Sequence, residues 1–274
     1  MRFLYGKQDM RTLDRAQETS FLLTNGLGGY ASMTAAFSAN RADMGILVAA
    51  VKAPNERITL VHRLRETLST GGQEHFLSTQ PFAGDTKPEE GYRHISDFTY
   101  DYLPAWTYQL SGVRVRRALA MGWETNTAAV LYTVENRSGK PCTLRVDPFL
   151  KFAPKEAALK EEKEFAYTPG TVRSGAYTLY LRTDGREEAL PTCWQTLAYP
   201  EDVKDGRPGK GMAGACCTVT KTVAPGAAET FEIVFSTRSD CPGAEEIIRQ
   251  QQARLSALAE GVRFYKRLLI NYPG

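Results

Sequence analysis

The side chains best suited to acid–base chemistry in this chain are carboxylates, with Glu66, Glu89, Glu90, Asp97 and Asp101 following one another in one stretch. Two carboxylates on either side of a bond, one protonated and one ionised, can hydrolyse it. Sequence spacing shows no two of these facing each other, so no catalytic residue is assigned. A second feature is the segment Phe21-Leu22-Leu23-Thr24-Asn25-Gly26-Leu27-Gly28-Gly29-Tyr30-Ala31-Ser32, which joins a strand-like run to a loop rich in glycine. Glycines there let the backbone take positive φ or approach a partner closely, while Asn25 can donate and accept hydrogen bonds and Tyr30 offers an aromatic face. The spacing GxGG is not a dinucleotide fingerprint, and no Lys-Ser/Thr ending makes it a P-loop. A third feature is aromatic: Tyr102, Trp106 and Tyr108 could stack on sugar rings with Arg93 as a donor, yet Trp106 and Tyr108 at spacing two also suit a sheet core.

Other chemistries are poorly supplied. His62, His75 and His94 fall on different runs, and Cys142, Cys193, Cys216, Cys217 and Cys241 show neither CxxC nor zinc-ligand spacing, so no metal site is assigned. No GxSxG elbow is present. An odd number of cysteines fits a reducing cytoplasm, with neighbouring Cys216 and Cys217 reading as buried filler. The net charge of +3 is scattered, and no run forms the basic stripe that nucleic acid requires. The first twenty residues lack a signal-peptide apolar core, and no stretch approaches the roughly 20 apolar residues of a membrane-spanning helix. The expectation is a cytoplasmic, soluble protein without nucleic-acid or membrane partners.

The elements that must position these residues are mostly strands. With 42% hydrophobic and 24% charged residues the chain can bury a sizeable core. From about residue 20 to 236, short β-branched and aromatic runs alternate with Gly, Pro, Asn and Asp, including Gly45–Lys52, Arg57–Thr67, Val113–Met121, Thr127–Glu135, Thr143–Phe152 and Thr230–Ser236. So many strands predict an all-β fold, a two-sheet antiparallel β-sandwich. In Val113–Leu119 the valines point one way while Arg114 and Arg116 point the other. The turn Asn136–Pro141 predicts a hairpin of Thr127–Glu135 with Thr143–Phe152. Lys155–Lys163 reads as a short exposed helix or loop, and Glu201–Gly214 as a loop. After Pro242-Gly243 the period changes: Ile248, Leu255, Leu258, Val262, Tyr265 and Leu269 form one stripe of a long amphipathic helix. That stripe either packs on its own sheet or meets another domain or a second copy of the chain.

Three ordered segments carry a family resemblance. They are FLLTNGLGGYAS; Ser38-Ala39-Asn40-Arg41-Ala42-Asp43-Met44 running into Gly45–Ala50; and Arg57–Leu68. Glu90–Tyr100, Pro104–Tyr108 and Val134–Gly139 continue the match in order. Together they strongly resemble the N-terminal domain of bacterial and archaeal glycogen-debranching enzymes of the amylo-α-1,6-glucosidase type. The resemblance weakens across Lys155–Gly214. It implies a large sandwich of the supersandwich type over residues 1–240, then a linker helix over 241–274 leading to an (α/α)6 catalytic barrel absent from this chain. It implies glycogen or a related α-glucan as substrate of the parent enzyme, hydrolysis at α-1,6 branches, no cofactor, and a catalytic domain in the same polypeptide as partner. Many relatives carry Arg, Tyr and His before the Gly-Leu-Leu-Val strand, whereas Arg41-Ala42-Asp43-Met44 stands here. Arg41 and Asp43 therefore join Asn25, Gly26, Gly28, Gly29 and Tyr30 as candidates for substrate binding or a domain interface. The alternatives are a stand-alone α-glucan-binding module resting on Tyr102, Trp106 and Tyr108, and a self-contained hydrolase.

Overall fold

The computed structural model describes residues 2–52 and 55–270, the side chains of 262–270 excepted. One antiparallel sheet runs in the spatial order Phe3–Gly6, Ile95–Asp101, Leu103–Leu110, Val113–Met121, Thr127–Asn136, Ala228–Ser236, Tyr177–Thr183, Thr171–Ser174, Ala166–Thr168. The second runs Arg186–Ala198, Lys210–Val223, Cys142–Pro154, Glu56–Thr70, Gly45–Lys52, Tyr30–Thr34, Ser20–Thr24, with Gln73–Phe76 added beside Glu56–Thr70. The two sheets form an antiparallel sandwich closed by a C-terminal helix. Strand alternation decides which side chains meet between the layers. In Val113–Met121, Val113, Val115 and Arg117 are buried while Arg114 and Arg116 are exposed.

The expected hairpin of Thr127–Glu135 with Thr143–Phe152 is not formed. Thr127–Asn136 lies between Val113–Met121 and Ala228–Ser236 in one sheet, whereas Cys142–Pro154 lies between Glu56–Thr70 and Lys210–Val223 in the other. The Asn136 side chain ties the corner, donating to the carbonyls of Lys140 and Val223 at 2.8 and 3.1 Å. A turn of this composition reverses the chain whether the next strand pairs beside the last or crosses to the facing layer. Lys155–Lys163 holds no helix, and the expected loop Glu201–Gly214 contains the end of a short helix, Pro200–Lys204, and the start of the strand Lys210–Val223.

Ion pairs bind the layers as well as apolar packing. Arg117 from one sheet and Glu66 from the other, both without solvent exposure, form a salt bridge between them. Arg117 also donates to the Tyr108 hydroxyl at 2.6 Å, Tyr132 donates to Glu66 at 2.5 Å, and the guanidinium lies 3.3 Å from the Phe37 ring centroid. A second buried pair, Arg63 with Glu89, is bidentate at 2.8 Å for each bond.

The helix Ala244–Ile270 packs its first turns on Val113–Met121, Thr127–Asn136 and Ala228–Ser236, burying Ala244, Ile247, Ile248 and Gln251. The Ala244 amide donates to Glu232 at 2.7 Å, satisfying one otherwise orphaned N–H of the helix start. Along the expected stripe, Ile248 is buried, Leu255 partly so and Leu258 is 55% exposed, so the near half serves this domain's own core. Val262, Tyr265 and Leu269 lie outside the described side chains. No helix among the described residues is long and apolar enough to cross a membrane.

Candidate functional site

The glycine-rich segment is the turn of a hairpin between Ser20–Thr24 and Tyr30–Thr34, closed by the Asn25 amide donating to the Gly29 carbonyl at 3.2 Å. Asn25 is fully buried. Its Nδ2 donates to the Thr125 carbonyl at 2.9 Å and to Asn126 Oδ1 at 3.0 Å, and its Oδ1 accepts from the Leu27 amide at 3.0 Å. Its hydrogen-bonding capacity is spent on holding the turn. Gly26 has φ +80° and lies against Trp123, where an added Cβ would fall 2.7 Å from the indole. At Gly29 a Cβ would fall 2.6 Å from Asn25 Nδ2. Gly26 and Gly29 are thus required by packing within the domain.

The next loop, Arg41–Met44, lies beside this hairpin. Together they form a groove of about 480 Å³ whose lining includes Gly28, Gly29, Tyr30, Arg41, Asp43 and Arg57. Its floor is the outward face of the hairpin, where Ser20, Leu22, Thr24, Tyr30 and Ser32 alternate with buried neighbours. Five of the seven residues singled out in the two loops, namely Gly28, Gly29, Tyr30, Arg41 and Asp43, line the groove; Asn25 and Gly26 support it from behind.

Four side chains hold the backbone of the second loop. The Ala42 amide donates to Asp202 at 2.7 Å, and the Ala42 carbonyl accepts from Lys151 Nζ at 2.8 Å. The Asp43 carbonyl accepts from the Tyr30 hydroxyl at 2.5 Å, and the Met44 carbonyl meets His62 Nδ1 at 2.8 Å. Lys151, Asp202 and His62 are essentially inaccessible to solvent. Burial pushes Lys151 down to about 8, with Asp43 and Asp202 pulling the other way. Burial, helped by the Lys151 charge, holds His62 well below its usual range, so it is a neutral imidazole whose Nε2 meets the Tyr199 hydroxyl at 2.9 Å. Burial raises the Tyr30 hydroxyl, and the neighbouring Asp43 carboxylate raises it further.

Among the groove's charges, Arg41 is bound to Asp205 and lies 3.5 Å from Asp202, and Lys155 pairs with Glu156 at 2.6 Å. Arg57 donates through Nε to the Gly28 carbonyl at 2.6 Å. Arg57, Lys151, Asp202 and His62 were not candidates on sequence. The signal available for Lys151 was its place in the apolar run Phe149-Leu150-Lys151-Phe152-Ala153.

The aromatic candidates separate. Trp106 and Tyr108 have no exposed surface, so neither presents a ring to a ligand in this fold, and the sugar-stacking expectation is corrected for both. Trp106 Nε1 donates to the Ala35 carbonyl at 2.7 Å, and Tyr108 serves Arg117. Trp106 and Tyr108 face the opposite sheet together because residues two apart on a strand share a face, and their register against Val113–Met121 is unbroken. Tyr102 alone reaches the surface, at φ +65°, in an apolar groove with Trp123 and Leu258. Four of the five carboxylates are occupied elsewhere, Glu66 and Glu89 in buried pairs, Glu90 with Arg93 at 2.9 Å, and Asp97 accepting from Ser96 and Thr107, while Asp101 is exposed at the end of its strand. Among the described residues no group of three or more His, Cys, Asp or Glu side chains is arranged to hold a metal ion.

Fold and groove define a β-sandwich domain with a polar cleft at the edge of one sheet. Residues 20–230 match the family model for the glycogen debranching enzyme N-terminal domain, and the chain belongs to that family. A search of curated protein sequences finds no match. Among solved structures, the chain is similar to a human-microbiome protein assigned as a kojibiose phosphorylase, with 10% identity and a TM-score of 0.41 over 96% of this chain and 35% of that one. It is also similar to a GalM/aldose epimerase homologue from C. elegans (9% identity, TM-score 0.43, 80% of this chain and 98% of that one). A bacterial glucoamylase complexed with acarbose overlaps at 10% identity and a TM-score of 0.33, over 91% of this chain and 35% of that one. The chain therefore spans about a third of the phosphorylase and of the glucoamylase.

Proposed function

We propose that this chain is the non-catalytic N-terminal domain of a cytoplasmic glycogen-debranching glycoside hydrolase that cleaves α-1,6-glucosidic bonds. In this reading residues 1–240 form the sandwich and 241–274 the connector to a catalytic domain, whose substrate cleft the groove helps to line. The observation that carries the reading is the family match over residues 20–230, joined to the convergence of Gly28, Gly29, Tyr30, Arg41 and Asp43 on one groove. The engagement of Glu66, Glu89, Glu90 and Asp97 in local pairs and hydrogen bonds supports a domain without its own acid–base pair. Unpaired cysteines support the cytoplasmic placement. The burial of Trp106 and Tyr108 weighs against an independent module built on an aromatic platform.

Glucose release from branched limit dextrin tests the proposal. This chain alone should release no more than a heat-killed control, while the parent enzyme containing it should be active and should lose activity with Gly28→Val. Hydrolysis by the isolated chain would overturn the non-catalytic reading.

A further inference from the structure

The Arg41–Met44 loop is anchored in the domain at Ala42 and Met44, which are buried, while the Arg41 and Asp43 side chains stay partly exposed. Backbone groups so placed must find partners inside the protein. Here Lys151, Asp202 and His62, all buried, are spent on one amide and two carbonyls within three residues, and Tyr30 takes a third carbonyl. Burying such groups is costly unless each is hydrogen-bonded, and this arrangement meets that condition by gripping the loop. The result is a preset position for Asp43 in the wall of the groove that the glycine turn also lines. Arg57 lines the same groove, its Nε anchored on the Gly28 carbonyl and its two Nη atoms without a hydrogen-bond or ion-pair partner among the described residues. Asp43 has one long contact, Arg207 Nη1 at 3.4 Å from Oδ2. Both charges lie close enough to Tyr30 to act on its hydroxyl, Asp43 raising it and Arg57 lowering it.

We propose that Asp43 and Arg57 are the ligand-contacting pair of this groove, and that they take a neutral sugar residue of an α-glucan through its vicinal hydroxyls; this rests on the glucan-cleft reading above. A carboxylate accepts from two hydroxyls and a guanidinium fork donates to two oxygens, so the pair satisfies a diol in both senses. Arg41 and Lys155 are held in close ion pairs, whereas Asp43 has only the 3.4 Å Arg207 contact and Arg57 only its Nε bond, leaving one acceptor and one donor group of opposite sign. That balance suits an uncharged polyol better than a phosphate, which calls for several uncommitted cations. Leu22 and the Tyr30 ring supply apolar surface for the carbon face of the sugar. Lys151, Asp202 and His62, buried behind the loop, act as positioning residues.

Backbone amide shifts of the whole chain, followed by NMR during titration with panose, test the pair. Panose should perturb Gly28, Tyr30 and Asp43, and Arg57→Met and Asp43→Asn should each weaken it by about tenfold or more. Arg57→Lys, which keeps the charge and loses the fork, should also weaken binding, while Lys52→Ala outside the groove should not. Circular dichroism checks that each variant is folded. Wild-type binding that survives Arg57→Met and Asp43→Asn would overturn the pair and leave the glucan-cleft reading intact. Panose shifts absent from the groove of the wild type would overturn both, and inorganic phosphate perturbing these residues where panose does not would overturn the assignment of a neutral ligand.

Discussion

Arg117 and Glu66 meet at the centre of the sandwich, each from a different sheet and neither with any solvent-exposed side-chain surface. Two stacked rings and two tyrosine hydroxyls complete their surroundings: the guanidinium lies over Phe37 and Trp106, Tyr108 accepts from Arg117, and Tyr132 donates to Glu66. Desolvating both ions is costly, so the pair adds little net stability, but removing one partner strands the other.

Arg117→Met or Glu66→Gln alone should therefore lower unfolding free energy by about 3–5 kcal/mol. Glu66→Leu with Arg117→Met should cost clearly less than the sum of the single Glu66→Leu and Arg117→Met changes, because neither ion is left behind. Urea unfolding of those singles and the double measures the coupling, and simple additivity would show that the two ions act independently.

Gly26 should be intolerant for two separate reasons. Its φ of +80° disfavours any Cβ, and the Cβ would press on Trp123, over whose ring the Arg254 guanidinium of the C-terminal helix lies 3.2 Å from the centroid. Gly26→Ala should cost about 2–3 kcal/mol and alter the Trp123 fluorescence. Gly6, where an added Cβ meets nothing within 4 Å, is the control, and Gly6→Ala should be nearly neutral. Equal effects at the two positions would contradict the packing described.

Trp106 should behave as core. Trp106→Phe removes the 2.7 Å bond to the Ala35 carbonyl and part of the contacts with Phe21, Phe37 and Phe98, for a loss of about 1–3 kcal/mol. Panose affinity should stay within about twofold of wild type. A selective loss of affinity at unchanged stability would return Trp106 to the binding surface.

Period-two patterning made the sheets legible, because it depends on each strand's own residues. The inward Val113 and Val115 and outward Arg114 and Arg116 were readable on that basis. Arg117, in phase with the valines, was equally placed by the pattern, although charge alone would put it outside. What the pattern could not carry is which sheet a strand joins: Asn136–Pro141 has the composition of a hairpin turn and in fact crosses between layers. Short, largely exposed edge strands such as Phe3–Gly6 and Ala166–Thr168 lack the alternation that would announce them. At the groove, Gly28–Tyr30, Arg41 and Asp43 were visible as motif residues close in sequence. Lys151 and Asp202 were not, because they reach Ala42 from more than a hundred residues away.

Lys151 also gives stability a definite pH dependence. Its folded value of about 8 lies below the ordinary lysine value of 10.5, the result of burial that Asp43 and Asp202 only partly offset. Between these values the unfolded chain holds the proton and the folded chain has released it, so the unfolded state binds more protons and stability rises with pH. Below about pH 8 both states are protonated and the full cost of the buried charge is felt, on the order of 3 kcal/mol. His62 acts in a different window with the same sign: held neutral in the fold and well below 6.5, it lets the unfolded chain take up a proton first, so stability falls as pH drops below about 6.5. The difference in unfolding free energy between wild type and Lys151→Met isolates the lysine contribution. Measured by urea unfolding at pH 7, 8, 9 and 10, that difference should shift in favour of wild type as pH rises, with most of the change above pH 8. Losing the Ala42 contact adds an offset that is nearly the same at every pH. A difference that stays constant from pH 7 to 10 would mean that Lys151 keeps its ordinary proton affinity despite its burial.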